Sequence, residues 1–210
     1  ARTLNGLMCA NAKVVWRKHK TGEMGSHIWA PELHRINDKW YIYFTAGDSE
    51  QIWDIRPYLL ECSGNDPMSD DWTERGRIIL PEESFSLDMT TFVHKGLQYC
   101  AWAQKGREYD GASVIYLSRM KDPHTLDGEP ILLTAPEYDW ECQGFKVNEG
   151  PAVLIRNGKV IITYSASDTG WRYCMGMVWA DENANLLDKA SWHKSSKPVF
   201  KTSVENGQYG

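Results

Sequence analysis

No stretch of this 210-residue sequence stays hydrophobic for the roughly 18 residues that a membrane-spanning helix needs. Basic residues form no block beyond Arg17-Lys18-His19-Lys20, and the net charge is −5, which sets nucleic acid and anionic membrane surfaces aside as partners. The five cysteines, Cys9, Cys62, Cys100, Cys142 and Cys174, make no Cys-x-x-Cys pair, so a zinc site is not expected. No other metal-ligating cluster is visible, and the reading assigns neither metal nor cofactor. Cys62, Cys100 and Cys174 sit in strand-like runs and are expected to pack as small hydrophobes. No secretory leader is read in these residues, and a start at Ala1 without Met is what a processed or trimmed chain is expected to show. Helical periodicity is almost absent as well.

What the sequence does have is apolar strands and aromatic rings. Hydrophobic residues make up 42%, enough to bury a core. Ten Trp and ten Tyr fit a β-rich interior, and they equally fit a surface on which sugar rings stack. The strands repeat. "NDKWYIYFTAG" (37–47), "HKGLQYCAWAQKG" (94–106) and "RNGKVIITYSAS" (156–167) each place a polar or glycine turn before an apolar run. Asp38, Gly96 and Gly158 mark the three turns, a spacing of about sixty residues, which is within reach of a propeller blade with long loops.

Each unit holds four short strands. One precedes the turn ("WAPELHRI", "SLDMTTFVH", "VNEGPAVLIR") and one follows it. A third comes next ("IRPYLLECSGNDP", "SVIYLSRMKDP", "YCMGMVWADEN"), and a fourth closes the unit near 76–80, 129–133 and 197–200. The expected fold is all-β, with blades at 21–80, 81–140 and 141–200. Residues 1–20 read as the end of an earlier blade, because "TLNGLMCANAKVVWRK" (3–18) looks like "NLLDKASWHKSSKPVF" (185–200). Residues 201–210 read as the lead-in to a later one. Three blades do not close a ring, since propellers have about 4–8, so the chain reads as the middle of a larger propeller.

One carboxylate recurs at the same place in every unit: Glu32, Asp88 and Glu149 all lie on first strands, which line the axis of a propeller. Three in register point to a shared funnel, whereas any one alone would read as a strand cap or the partner of a nearby arginine. Trp29, Trp102 and Tyr173 are candidates to wall in a sugar ring, with core packing as the alternative. His27, near the funnel mouth, is a candidate hydrogen-bonding residue.

The motifs "HIWAPELH", "SLDMTTFVHKG" and "KVNEGPAVLIRNGK" resemble the blade motifs of glycoside hydrolase family 43. "WRKHKTGEMGSHIWAPELH", "YSASDTGWRYCMGM" and "NGQYG" resemble its exo-acting α-1,5-L-arabinofuranosidase branch. The resemblance spans nearly the whole chain. It implies a five-bladed propeller, of which about three blades are present, and inverting hydrolysis of arabinan or arabino-oligosaccharides by a secreted or periplasmic enzyme. It also implies that the remaining blades come from the parent chain. By the same resemblance Glu149, in Asn-Glu-Gly-Pro, is the general acid. Asp88, in Leu-Asp, orients the acid and raises its pKa. Glu32, in a pocket-wall motif, supports binding. The family's general base lies in its first blade, and a histidine near its axis lies in its fifth, so no residue here matches either. This puts the activity of residues 1–210 alone in doubt.

Three alternatives stay open. A β-xylosidase or endo-arabinanase of the same family would share these motifs. A sugar-binding propeller without catalysis would lack the base. In "YDWECQG" (138–144) the tripeptide Trp-Glu-Cys resembles the acid motif of invertase-like fructosidases, with Glu141 as the acid of a retaining mechanism. Glu141 lies outside the register shared by Asp88 and Glu149, and the Arg-Asp-Pro motif of those enzymes is missing.

Overall fold

The computed structural model describes residues 3–68, 72–203, 205 and 207. It is all-β, built as three consecutive antiparallel sheets. The first holds β1 (Ser26–Ile36), β2 (Lys39–Gly47), β3 (Arg56–Cys62) and β4 (Trp72–Arg77). The second holds β5 (Ser86–His94), β6 (Leu97–Lys105), β7 (Ser113–Asp122) and β8 (Thr125–Thr134). The third holds β9 (Asn148–Arg156), β10 (Lys159–Ala166) and β11 (Cys174–Asp181), with β12 (His193–Lys194) and β13 (Phe200–Lys201) both pairing to β11. Every ladder joins strands that follow one another in sequence, apart from β13, which returns to β11.

The three expected turns are two-residue hairpins of one kind. Ile36 pairs with Lys39, His94 with Leu97 and Arg156 with Lys159. The two residues between them all have positive φ: Asn37 47° and Asp38 65°, Lys95 50° and Gly96 77°, Asn157 52° and Gly158 73°. That is the type I′ geometry, whose twist matches the strands it joins.

The core lies between the blades. Ile36, Tyr43, Leu59, Met89, Cys100 and Trp102 pack where the first blade meets the second. Ala101, Ile115, Leu117, Val160, Ile162 and Tyr164 pack where the second meets the third. β6, clamped from both sides, is buried from Tyr99 through Gln104, while β10 alternates buried and half-buried residues. Cys62, Cys100 and Cys174 are buried, as expected.

Three strand boundaries differ from the sequence reading. β4 ends at Arg77, one backbone bond short of its reach, since the Ile78 N–H still donates to the Pro57 carbonyl at 2.9 Å, and Ile78 and Leu80 are buried in the core. The fourth strand of the third blade is broken into β12 and β13. Pro198, which has no N–H to give, lies in the gap, and Ser195 and Val199 reach β11 through single backbone bonds to Met177 and Met175, at 2.9 and 2.8 Å. Residues 3–18 hold no strand: Leu4–Met8 form a short helix capped by the Thr3 hydroxyl, which accepts from the Gly6 N–H at 3.0 Å. Leu4, Leu7 and Met8 are exposed there, and the segment meets the first sheet further on, where Trp16 donates Nε1 to Glu74 Oε1 of β4 at 2.5 Å. Of the expected lead-in at 201–210, residues 204, 206 and 208–210 lie outside the described residues.

Candidate active site

The first strands β1, β5 and β9 pack side by side, β5 between the other two. Each ladder is irregular where its carboxylate sits. β1 shifts register between Ser26 and Trp29 and again between Trp29 and Glu32. β5 shifts between Leu87 and Thr90, which leaves Asp88 unpaired, and β10 shifts between Thr163 and Ser165, next to Glu149. Left-handed residues accompany each break: Ala30 at φ 45°, Asp88 at 54° and Gly150 at 58°. For alanine and aspartate that conformation costs on the order of 1 kcal/mol, and such bulges re-aim side chains.

Asp88 and Glu149 meet through the bulge. The Gly150 N–H donates to Asp88 Oδ2 at 3.0 Å, while the Asp88 N–H donates to Thr45 Oγ1 at 3.1 Å. Burial raises the Asp88 pKa to about 6, helped by the neighbouring charge of Glu149, opposed by the Gly150 N–H and helped again by Glu32. Glu149 is also held above the ordinary carboxylate range, by burial, with the Tyr173 hydroxyl pulling the other way. That hydroxyl donates to Glu149 Oε1 at 2.7 Å.

Glu32 Oε2 accepts from Thr90 Oγ1 at 2.6 Å and pairs with His34 Nε2 at 2.8 Å. It is thus tied to β5 and to its own strand. His27 lies 4.7 Å from Trp29 and stacks on Trp53 at 4.7 Å, centroid to centroid. Its Nε2 is sealed from solvent without a partner, so that nitrogen is not open to a sugar. Trp29 is half-buried and packs on the core beside it.

Trp102 does not belong to the site. It is 1% exposed, stacks on Tyr116 and donates Nε1 to Gln104 Oε1 at 2.8 Å. The clamped second blade buries both faces of β6, so neither ring face is free for a sugar.

Glu141 is equally removed from chemistry. Its Oε1 accepts from Asn148 Nδ2 at 3.0 Å and Tyr164 OH at 2.9 Å. Its Oε2 accepts from the N–H groups of Glu137 and Tyr138 at 2.9 and 3.0 Å and from Lys194 Nζ at 2.8 Å. A carboxylate offers about four lone-pair sites, and five donors already occupy them. With Glu141 0% exposed, the invertase-like acid is ruled out. Its work is to hold Asn148, the residue before Glu149.

Sequence reasoning missed a cleft of about 630 Å³ that runs from Glu149 along Trp53, Phe85, Lys105, Asp110, Phe145 and Lys146. These residues lie mostly in loops outside the repeat, where strand register gives no signal. An exposed Trp in "QIWD" was the one available hint. A second cleft, of about 590 Å³, lies beside Trp140, Trp171 and Cys174 and holds none of the three carboxylates.

The model of glycosyl hydrolases family 43 matches residues 1–210. An extracellular exo-alpha-(1->5)-L-arabinofuranosidase of Streptomyces chartreusis is 51% identical over 210 residues, which are all of this chain and 64% of that protein. Alpha-L-arabinofuranosidase 43 of Humicola insolens is 43% identical, and the match covers 44% of its length. The crystal structure of alpha-L-arabinofuranosidase from Lactobacillus brevis superposes with a TM-score of 0.94 at 48% identity, over all of this chain and 67% of that one. The chain therefore spans roughly half to two thirds of these relatives. With its bladed architecture and its paired first-strand carboxylates, it belongs to glycosyl hydrolase family 43.

Proposed function

We propose that this chain carries the acid side of an inverting glycosidase that releases terminal α-L-arabinofuranosyl residues from arabinan or arabino-oligosaccharides. The observation that carries the proposal is the pair of Glu149 and Asp88, half-buried carboxylates with raised pKa values beside an aromatic cleft. Perturbed carboxylates in a cleft are the signature of acid–base work. The arabinofuranosidase names of the relatives support the substrate, and the extracellular one supports secretion.

In this reading Glu149 is protonated before the reaction. Its proton passes to the glycosidic oxygen as the bond to the anomeric carbon breaks, and the leaving sugar departs neutral. A water attacks from the opposite face and gives its proton to a general base, at a carboxyl separation of about 6.5–9.5 Å. Burial holds Glu149 above the ordinary carboxylate range, and Asp88 fixes the turn through the Gly150 N–H. Glu32, Trp29 and Tyr173 shape the place of the cleaved sugar. No residue of this sequence is given the base role, which is assigned to an acidic residue outside residues 1–210 in a longer protein.

The test is the full-length protein on 4-nitrophenyl α-L-arabinofuranoside and β-D-xyloside, with the product anomer followed by NMR. Preference for the arabinoside with an inverted product is expected. A retained anomer, or preference for the xyloside, overturns the reading.

A further inference from the structure

One hydroxyl interrupts the end of the apolar strand β2, at Thr45, and that residue is 0% exposed. A hydroxyl so deeply buried needs a partner. Thr45 sits inside its sheet, paired in register with Trp29 of β1 on one side and Pro57 of β3 on the other, so its backbone is held from both sides. Its side chain reaches across the blade boundary: Thr45 Oγ1 accepts the Asp88 N–H at 3.1 Å.

The bulge of β5 leaves that N–H without a ladder partner, at a residue whose φ is 54°. A buried N–H with nothing to donate to is costly, so the Thr45 hydroxyl stabilises the bulged backbone at the point where it is least regular. Two residues on, Thr90 Oγ1 donates to Glu32 Oε2 at 2.6 Å, which ties the strand beyond the bulge to the first blade as well. The carboxyl group of Asp88 faces the third blade, where Oδ2 accepts the Gly150 N–H at 3.0 Å, one residue from Glu149. Asp88 is thus gripped by the first blade through its backbone and grips the third through its side chain.

The repeat supplies a contrast. Counted from the hairpin turns, the place of Thr45 is taken by Ala103 in the second blade and by Ser165 in the third. Ala103 is buried and has no hydroxyl, so the second blade offers Glu149 no anchor of this kind. The tie that reaches the Glu149 turn from the second blade is the one from Asp88 to Gly150, and the anchor of that tie is Thr45.

We propose that Thr45 is a positioning residue for proton delivery: its hydroxyl fixes the Asp88 backbone, and Asp88 in turn fixes the turn that aims Glu149. The proposal rests on the glycosidase reading above. Thr45 is closed to solvent, so it acts without touching the sugar.

The test uses the full-length protein and two substrates: α-1,5-arabinotriose, whose leaving group needs a proton, and 4-nitrophenyl α-L-arabinofuranoside, whose leaving group needs little. Thr45→Val keeps the shape and removes the acceptor. It should lower kcat on the triose about tenfold more than on the 4-nitrophenyl glycoside, with KM for the triose within about threefold of wild type. Thr45→Ala removes the same oxygen without crowding and should move the ratio the same way. Thr45→Ser keeps the acceptor and should hold the ratio within about twofold of wild type. In an Asp88→Ala background Thr45→Val should hardly change the ratio, because nothing is left to aim. Equal losses on both substrates overturn the proposal, since a purely structural role would lower both alike. A serine variant as impaired as the valine one overturns it too, and so does failure of both the valine and alanine variants to fold. A wild-type protein that cleaves neither substrate overturns the glycosidase reading itself, and this role with it.

Discussion

Glu141 and Glu149 are both half of a sequence motif, both near the start of β9, and opposite in character. Glu141 accepts from five donors and is closed to solvent. Glu149 has, among the described residues, one side-chain hydrogen-bond partner, the Tyr173 hydroxyl, and faces a cleft. A carboxylate that must give up a proton needs lone pairs that are not already committed. One that must hold a strand in place needs the reverse. The two are joined by Asn148, which Glu141 grips and which carries Glu149. On the proposed reading, rigidity is supplied at Glu141 and reactivity kept at Glu149.

The comparison can be broken hardest at Glu149, the proposed acid. Glu149→Gln keeps shape and a hydrogen bond but delivers no proton, so hydrolysis of arabinan oligosaccharides by the full-length protein should fall about 10²–10⁴-fold. Steady-state rates on 4-nitrophenyl arabinofuranoside should fall less, because that leaving group needs little protonation. The urea midpoint should hardly move. An equal defect on both substrates would remove Glu149 from the acid role.

Glu141→Gln should show the opposite profile. The structure makes it a folding defect: Lys194, which also donates to the Ala135 carbonyl at 2.7 Å, would be left buried beside a neutral amide. Breaking such a pair costs about 3–5 kcal/mol. Urea denaturation should report the loss, while the leaving-group dependence of the remaining folded enzyme stays as in wild type. A leaving-group effect as large as that at Glu149 would revive the rival acid.

Asp88→Asn should have smaller effects of two kinds. Removing the like charge lowers the Glu149 pKa, so the alkaline limb of the kcat/KM profile should move to lower pH. Stability should respond as well. The folded pKa of Asp88, about 6, lies above the unfolded value, so its contribution is full below about pH 4 and is lost as pH rises through 6. The asparagine variant should therefore gain stability relative to wild type between pH 4 and 7, by on the order of 3 kcal/mol. No gain in that window would mean that Asp88 ionises as freely as in the unfolded chain.

Tyr173→Phe is the mildest. The lost hydroxyl favoured the charged form of Glu149, so the acid's pKa should rise and the alkaline limb should move to higher pH, opposite to Asp88→Asn. Rates near neutrality should change by less than about tenfold. A change in KM with an unmoved pH profile would return Tyr173 to sugar contact alone.

The repeat made much of this legible. Asp38, Gly96 and Gly158 located three hairpins, and the shared position of Glu32, Asp88 and Glu149 put them on neighbouring first strands. What the pattern could not carry was local backbone. Nothing in "SLDMTT" announces that Asp88 has positive φ, because tertiary contacts with Thr45 and Gly150 hold it there. Trp102 misled because a strand packed between two blades is apolar throughout, so its inward and outward residues look alike. Trp53 escaped because a loop has no register to read.

The ladders also have a consequence in time. Nearly all of them pair strands adjacent in the sequence, and each blade opens with a turn that needs only two residues. Such contacts are local, so a blade can zip up while the ribosome is still adding the next. The faces between blades cannot be buried so early. Tyr43 and Leu59 wait for Trp102, and Ala101 and Leu117 wait for Ile162. During synthesis each finished blade therefore shows one wet apolar face for as long as about sixty further residues take to appear. At roughly 5–20 residues per second that is a matter of seconds, and during those seconds this chain is most exposed to pairing with the wrong partner.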